Sequence, residues 1–161
     1  MKSPPPQPPQ DAPLGTIWFG GPISWFKVSF SVSAKDLDPV PLTSLFGIEP
    51  DFAHGRGVEL LHEDGSVKRV TKFGIWSISI KPNNTDEWDI EEVAWGLLLR
   101  LPEDVKIWHG LPNNLDIRLS FALTLQSFNQ GFSIEPKLAK YVAERNITMD
   151  FDIYREDAEN T

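Results

Sequence analysis

Three stretches of the chain alternate between apolar and polar residues, and this period of two constrains the fold more than any other feature. They occupy residues 26–33, 116–126 and 147–154. A period of two places apolar side chains on one face of a β-strand and polar side chains on the other. The sequence therefore predicts strands with one covered face and one polar face, a pattern typical of antiparallel sheets.

The segment before Pro102 carries the most regular helix signal. Asp89 is a suitable N-cap, and Glu92 follows three residues later, as in a capping box. Apolar residues then recur at spacings of three and four over residues 90–101, which is the stripe of an amphipathic helix. Pro102 is predicted to end this helix.

Two further helices are predicted between the alternating stretches. The first covers residues 36–46 and ends before Gly47, which suits a helix C-cap. The second covers residues 134–145, with Ser133 as its N-cap and Asn146 at its end.

Residues 57–63 and 67–81 are predicted to pair as a hairpin around a turn at residues 63–66 that contains Asp-Gly, a strong hairpin signal. The predicted order is then strand, helix, hairpin, helix, strand, helix, strand. We expect an α+β fold built as a two-layer sandwich, with a mainly antiparallel sheet, helices packed on one face, and ferredoxin-like connections as one option.

The chain divides into three parts by composition. Residues 1–13 hold six of the fourteen prolines and no large apolar residue after Met1, so they are expected to form a disordered proline-rich leader, with PxxP spacings as a less favoured docking signal. Residues 14–155 form the single expected domain. Residues 156–161 are polar and are expected to be a flexible tail.

Composition excludes several classes of function. The chain has no cysteine, which rules out disulfides and thiolate chemistry. A net charge of −8 argues against nucleic-acid binding, which depends on basic residues that neutralise phosphates, and favours a basic protein partner instead. With no export signal and no apolar run of membrane-spanning length, we expect a cytoplasmic protein with no membrane partner.

The sequence favours a protein without enzymatic activity, cofactor or metal. His54, His62 and His109 do not share a metal-ligand spacing, and no phosphate-binding or nucleophile motif is present. Each histidine is therefore interpreted as structural or exposed. We expect no catalytic residues.

Two acidic groups are candidate partner-binding residues. The first lies at the start of the second predicted helix and consists of Asp86, Glu87, Trp88 and Glu91. The helix dipole is an alternative explanation for its negative charge.

The second group is the pair Asp150 and Asp152, which share the polar face of the last predicted strand at a separation of about 7 Å. The alternative for this pair is a solvated face, or ion pairs with Arg118 or Lys27 on neighbouring strands.

The tryptophans at positions 76, 95 and 108 are interpreted mainly as core residues, because aromatic side chains dominate the packing of small cores. Trp88 falls off the apolar stripe of its helix, so it is the best candidate for an exposed contact.

Six segments together resemble the bacterial DUF4279 family across residues 25–155. They are residues 28–32 (VSFSV), 36–39 (DLDP), 45–50 (LFGIEP), 76–79 (WSIS), 131–136 (GFSIEP) and 149–154 (MDFDIY). The resemblance implies a small bacterial domain of unknown function, similar in character to immunity proteins that bind secreted toxins. It carries over no catalytic residues.

Three hypotheses follow. The leading one is a cytoplasmic binding protein, of the immunity type, that inhibits a basic toxin or enzyme. The rival is a small-molecule-binding or hydrolase domain that uses Asp150, Asp152, Arg118 and a histidine on the polar sheet face. The third is a structural subunit whose sheet edge pairs with the same edge of a second copy. Across these hypotheses, the chain is expected to be a monomer or a weak homodimer.

Overall fold

The structure, a computed structural model, describes residues 23, 25–82, 89–125 and 131–155. The elements within these residues are β1 (Trp25–Ala34), α1 (Val40–Phe46), β2 (Phe52–His54), β3 (Glu59–Leu61), β4 (Val67–Val70), β5 (Gly74–Ile80), α2 (Ile90–Leu98), α3 (Val105–His109), β6 (Asp116–Leu125), α4 (Pro136–Glu144) and β7 (Thr148–Arg155). No helix among them is long and apolar enough to cross a membrane. The predicted leader and the tail at 156–161 lie outside the described residues.

Five strands form one sheet in the order β2-β5-β1-β6-β7. Neighbouring strands are antiparallel except for β6 and β7, which are parallel and are connected through α4. β3 and β4 pair only with each other in a separate two-stranded ribbon. The α+β class and the mainly antiparallel sheet are confirmed.

One face of the sheet forms the core, because most of the large apolar residues of β1 and β6 point to it. Val28 and Phe30 on β1 and Leu119 and Phe121 on β6 are completely buried. Residues of α2 at positions 94, 97 and 98 are also completely buried, and α2 packs on β1 and β5. The alternation in the sequence therefore correctly predicted which side of each strand is covered.

Four aromatic rings form the centre of this core and belong to four different elements. They are Phe30 of β1, Phe46 of α1, Trp76 of β5 and Trp108 of α3, with neighbouring centroids 5.0–6.2 Å apart. Most contacts are edge-to-face, the arrangement that aromatic quadrupoles favour.

Both indole N–H groups in the cluster are satisfied. Trp76 donates to the hydroxyl of Thr43 at 3.0 Å, and Trp108 donates to the carbonyl of Pro102 at 2.9 Å. The interpretation of these two tryptophans as core residues is confirmed. Trp95 is half-buried and packs against the core.

Most of the predicted helix ends are confirmed by backbone geometry. Gly47 closes α1 in the left-handed conformation, with φ of 71°. Asp89 caps α2 by accepting hydrogen bonds from the backbone N–H groups of Glu91 and Glu92. Asn146, with φ of 54°, follows α4. The prediction for Ser133 is wrong, because Glu135 is the N-cap of α4 and Pro136 occupies its first turn.

The predicted second arm of the hairpin is divided between two sheets at Thr71. The hydroxyl of Thr71 accepts a hydrogen bond from the backbone of Val58 and donates one to the carbonyl of Gly55. These bonds close the base of the β3–β4 ribbon, and the chain then enters the main sheet as β5. The strand-favouring residues at 67–81 could not reveal this change of partner, because it depends on one buried side chain.

Gly74 makes that change of sheet possible. Its backbone passes so close to Leu37 that a Cβ at position 74 would lie 2.1 Å from the Leu37 carbonyl oxygen. Only glycine allows this approach.

We expect Gly74→Ala to lower the free energy of unfolding by about 3 kcal/mol, because the backbone of Leu37 or β5 must shift to relieve the overlap. The measurement is chemical denaturation. Gly96→Ala in α2 is the matched control, since its Cβ would meet only Ile80 at an ordinary 3.9 Å. That variant should be neutral or more stable by up to about 1 kcal/mol. Equal effects at the two positions would contradict the close approach.

Candidate functional site

The face of the sheet opposite the helices is lined at its centre by small hydroxyl side chains. They are the half-buried serines at positions 29, 31 and 33 of β1, 77 and 79 of β5, and 120 of β6. They lie side by side across the strands, since Ser29 pairs with both Ser79 and Ser120, and Ser31 pairs with Ser77. We call this surface, from β5 to β7, the open face. Its small side chains leave it broad and polar.

Charged residues gather at the β6–β7 side of the open face. Arg118 Nε donates to both carboxylate oxygens of Asp116, at 3.0 and 2.9 Å, and its Nη1 donates to Asp150 Oδ2 at 2.9 Å. All three side chains are about half exposed. The alternative reading of Asp150, as an ion-pair partner of Arg118, is confirmed.

The two carboxylates stabilise the charged form of Arg118. The pKa of Arg118 is raised above its ordinary value, mainly by the hydrogen bonds that it donates to Asp116 and then by the one that it donates to Asp150. Arg118 therefore remains a cation that bonds two carboxylates, and Asp152 lies two residues beyond Asp150 on the same face of β7.

Asp152 accepts a hydrogen bond from the hydroxyl of Tyr154, two residues further along the same face of β7, at 2.5 Å. This bond and the carboxylate's negative charge raise the pKa of Tyr154 above its ordinary value of 10.0. Tyr154 is exposed, so its ring and hydroxyl extend the acidic end of the open face with an aromatic surface.

The structure does not place a histidine beside these carboxylates. His54 is on β2, at the opposite edge of the sheet, where its Nδ1 lies 3.0 Å from the carbonyl oxygen of Gly55. His62 lies next to the turn of the ribbon, and His109 bonds the carbonyl of Glu144 at the end of α4. General acid–base catalysis needs such a partner within hydrogen-bond reach, and the hydrolase hypothesis gains no support from this arrangement.

The described residues also contain no cluster of three or more histidine or carboxylate side chains suited to a metal ion. Asp150 is already bonded to Arg118, and Asp152 to Tyr154. What remains at this surface is hydrogen-bonding capacity, negative charge and exposed aromatic area, which are properties of a binding surface.

Of the first predicted acidic group, Asp86, Glu87 and Trp88 lie outside the described residues. Glu91 is described, and it does not lie on the surface, since only 6% of it is exposed. One side-chain oxygen of Glu91 accepts from Trp95 Nε1 at 3.3 Å, and the other accepts from the backbone N–H of Glu135 at 2.8 Å.

Glu91 therefore joins α2 to the start of α4, and its role in the structure is internal. The sequence placed it in an exposed acidic run because the partner N–H is 44 residues away. No local pattern reports such a contact.

Asp116 and Tyr154 were missed as members of the second group, although alternation alone placed both on the polar face. Phe151 and Ile153 were also missed. They point to the covered side of the sheet but are 41% and 56% exposed. Their exposure follows from the position of β7 at the sheet edge, which period-two alternation cannot reveal.

Comparison with known proteins identifies one family. The family model described as "Domain of unknown function (DUF4279)" matches residues 24–156. No curated protein and no solved structure matches the chain.

We expect Glu91→Ala to lower the free energy of unfolding by about 2 kcal/mol, because it leaves the N–H groups of Trp95 and Glu135 without their acceptor. Glu92→Ala is the matched control, since Glu92 is exposed in the same helical turn. The control should lose less than about 1 kcal/mol. Equal losses in denaturant titrations would show that Glu91 acts only through the helix dipole.

We expect Asp152→Asn to lower the pKa of Tyr154 toward 10.0, because the negative charge that favours the neutral phenol is removed. The measurement is a spectrophotometric titration in a Tyr141→Phe background, which leaves Tyr154 as the single tyrosine. Asp150→Asn is the control and should leave the titration unchanged. An unaltered curve for Asp152→Asn would contradict the hydrogen bond.

Proposed function

The chain belongs to the DUF4279 family, and because the description of that family names no activity, we propose that it is a non-enzymatic cytoplasmic protein that binds another protein through the open face of its sheet. The partner we propose is a basic toxin or enzyme that this chain inhibits, in the manner of an immunity protein.

The observation that carries this proposal is the one-sided covering of the sheet. The helices described here pack on one face, while the strands of the other face expose serines, three carboxylates, an arginine and a tyrosine. The four strands of the open face, spaced about 4.8 Å apart and rising about 3.3 Å per residue, offer a surface of about 550 Å². This is near the low end of the roughly 600–1,000 Å² that each partner contributes to a specific protein interface.

Charge supports a basic partner. The net charge of the whole chain is −8, which steers positively charged proteins toward it. On the open face itself, Asp116, Asp150 and Asp152 face two cations, Arg118 and Lys27, so this end of the surface keeps a small negative excess. Opposite charges across an interface raise association rates and select the partner.

The test is affinity capture with the tagged full-length chain from its own cells, followed by assay of the purified partner's activity with and without the chain. We expect one stoichiometric basic protein whose activity is inhibited. The Asp150→Lys, Asp152→Lys double variant should lose this partner by at least about tenfold in affinity, because two attractive contacts become repulsive.

The control for that variant is Glu59→Lys, Glu63→Lys. It makes the same change of charge on the exposed β3–β4 ribbon, outside the open face. Equal losses in the two double variants would mean that net charge alone, and not the open face, attracts the partner. Capture of the partner without any effect on its activity would contradict the inhibitor role.

A further inference from the structure

β7 forms one edge of the sheet, and among the described residues no strand pairs with its outer side. The strand is eight residues long, whereas β2 at the opposite edge has only three. An unpaired strand presents a row of backbone N–H and C=O groups that can pair with another chain. Among the described strands, β7 is therefore the longer of the two edges of the sheet.

The two faces of this edge differ in chemistry. On the side of the helices, Phe151 and Ile153 leave about half of their surface exposed. Phe151 stacks on Phe121 of β6, with centroids 5.0 Å apart and planes at 9°, so it continues the core outward. On the open face, Asp150 and Asp152 alternate with these apolar residues.

These acidic residues disfavour a second copy of the chain as the occupant. A dimer axis perpendicular to the sheet would make β7 antiparallel to its own copy and would keep like faces together. Two registers keep side chains of the same face opposite each other and pair seven of the eight residues of β7. One places each Asp150 opposite the other copy's Asp152, and the other places the two copies of Asp152 opposite each other. Like charges directly opposite destabilise a strand pair.

The same pattern favours a strand of opposite charge. An added strand would lie about 4.8 Å from β7, and its side chains on one face would repeat about every 6.7 Å. Basic side chains on the open face would then stand opposite Asp150 and Asp152. Apolar side chains on the other face would cover Phe151 and Ile153.

We propose that the outer edge of β7 binds an extended segment of a protein partner by strand addition, and that this segment alternates basic and apolar residues. The proposal rests on the binding function proposed above and names the partner's chemistry at that surface. Backbone hydrogen bonds supply affinity in this mode, and alternate side chains supply specificity.

The test uses an eight-residue synthetic peptide of alternating lysine and valine, blocked at both ends, with the full-length protein. Two control peptides are its fully N-methylated analogue, which keeps the charge but has no backbone donor, and the analogue with glutamate for lysine. Affinity is measured by fluorescence anisotropy. Amide hydrogen exchange is followed by NMR at residues 148–155.

We expect the lysine peptide to bind and to slow exchange at every second amide of β7, because alternate N–H groups point outward. The N-methylated and glutamate peptides should bind at least about tenfold more weakly. The Asp150→Lys, Asp152→Lys variant should reverse the preference and bind the glutamate peptide, a gain of binding that a misfolded variant could not show. Glu59→Lys, Glu63→Lys should keep the preference for lysine.

Three outcomes would overturn strand addition. Equal binding of the N-methylated peptide, without alternate protection, would show contact through side chains alone and would leave the proposed binding function intact. Protection of β7 that appears at high protein concentration without peptide would assign the edge to a second copy. Absence of binding by every peptide would remove the edge as a site, while the capture experiment would still decide the binding function separately.

Discussion

The contact among Phe30, Phe46, Trp76 and Trp108 is the one on which the rest of the structure depends, because it joins four elements that are distant in the sequence. α1 and α3 are short, with seven and five residues, and helices of that length are not stable alone in water. Each contributes one ring to the cluster, so burial of that ring holds the helix against the sheet. Loss of the cluster would release both helices from the side of β1 and β5.

This one-sided core also determines the surface. Since most of the large apolar residues of β1, β5 and β6 face the helices, with Trp25 and Ile75 as exceptions, most of the opposite positions are free to carry small polar residues. Charge is then added toward β7, where Arg118 bonds both Asp116 and Asp150. The open face is thus a consequence of how the core is built, and its acidic end lies at β7, the edge strand of the described sheet.

The parts of the fold that the sequence predicted are those set by local periodicity and capping. β1, β6, β7 and α2 follow from regular spacing, and Gly47 and Asp89 from the chemistry of helix ends. The parts that it missed depend on contacts between distant segments.

Three such contacts account for the misses. Thr71 divides the predicted hairpin arm through hydrogen bonds with Gly55 and Val58. Trp108 stabilises the five-residue helix α3 by packing its ring in the core. The bond from Glu135 to Glu91 removes a predicted surface residue from the surface. The acidic pair on β7 was predicted as a site because strand alternation alone places it on the polar face, whereas its ion pair required the neighbour β6 to be known.

The acidic residues of β7 serve two purposes that are usually in conflict at a sheet edge. A long edge with exposed Phe151 and Ile153 would normally favour aggregation, because backbone groups and apolar side chains are available together. Asp150 and Asp152 oppose self-pairing by repulsion between like charges, yet they leave the backbone groups of the edge accessible. A proline or an inward bulge would prevent self-pairing only by removing the backbone groups through which any other strand could pair. The negative charge disfavours pairing with a second copy of β7 but attracts a basic strand. The edge therefore keeps its backbone groups accessible and still selects its partner by charge.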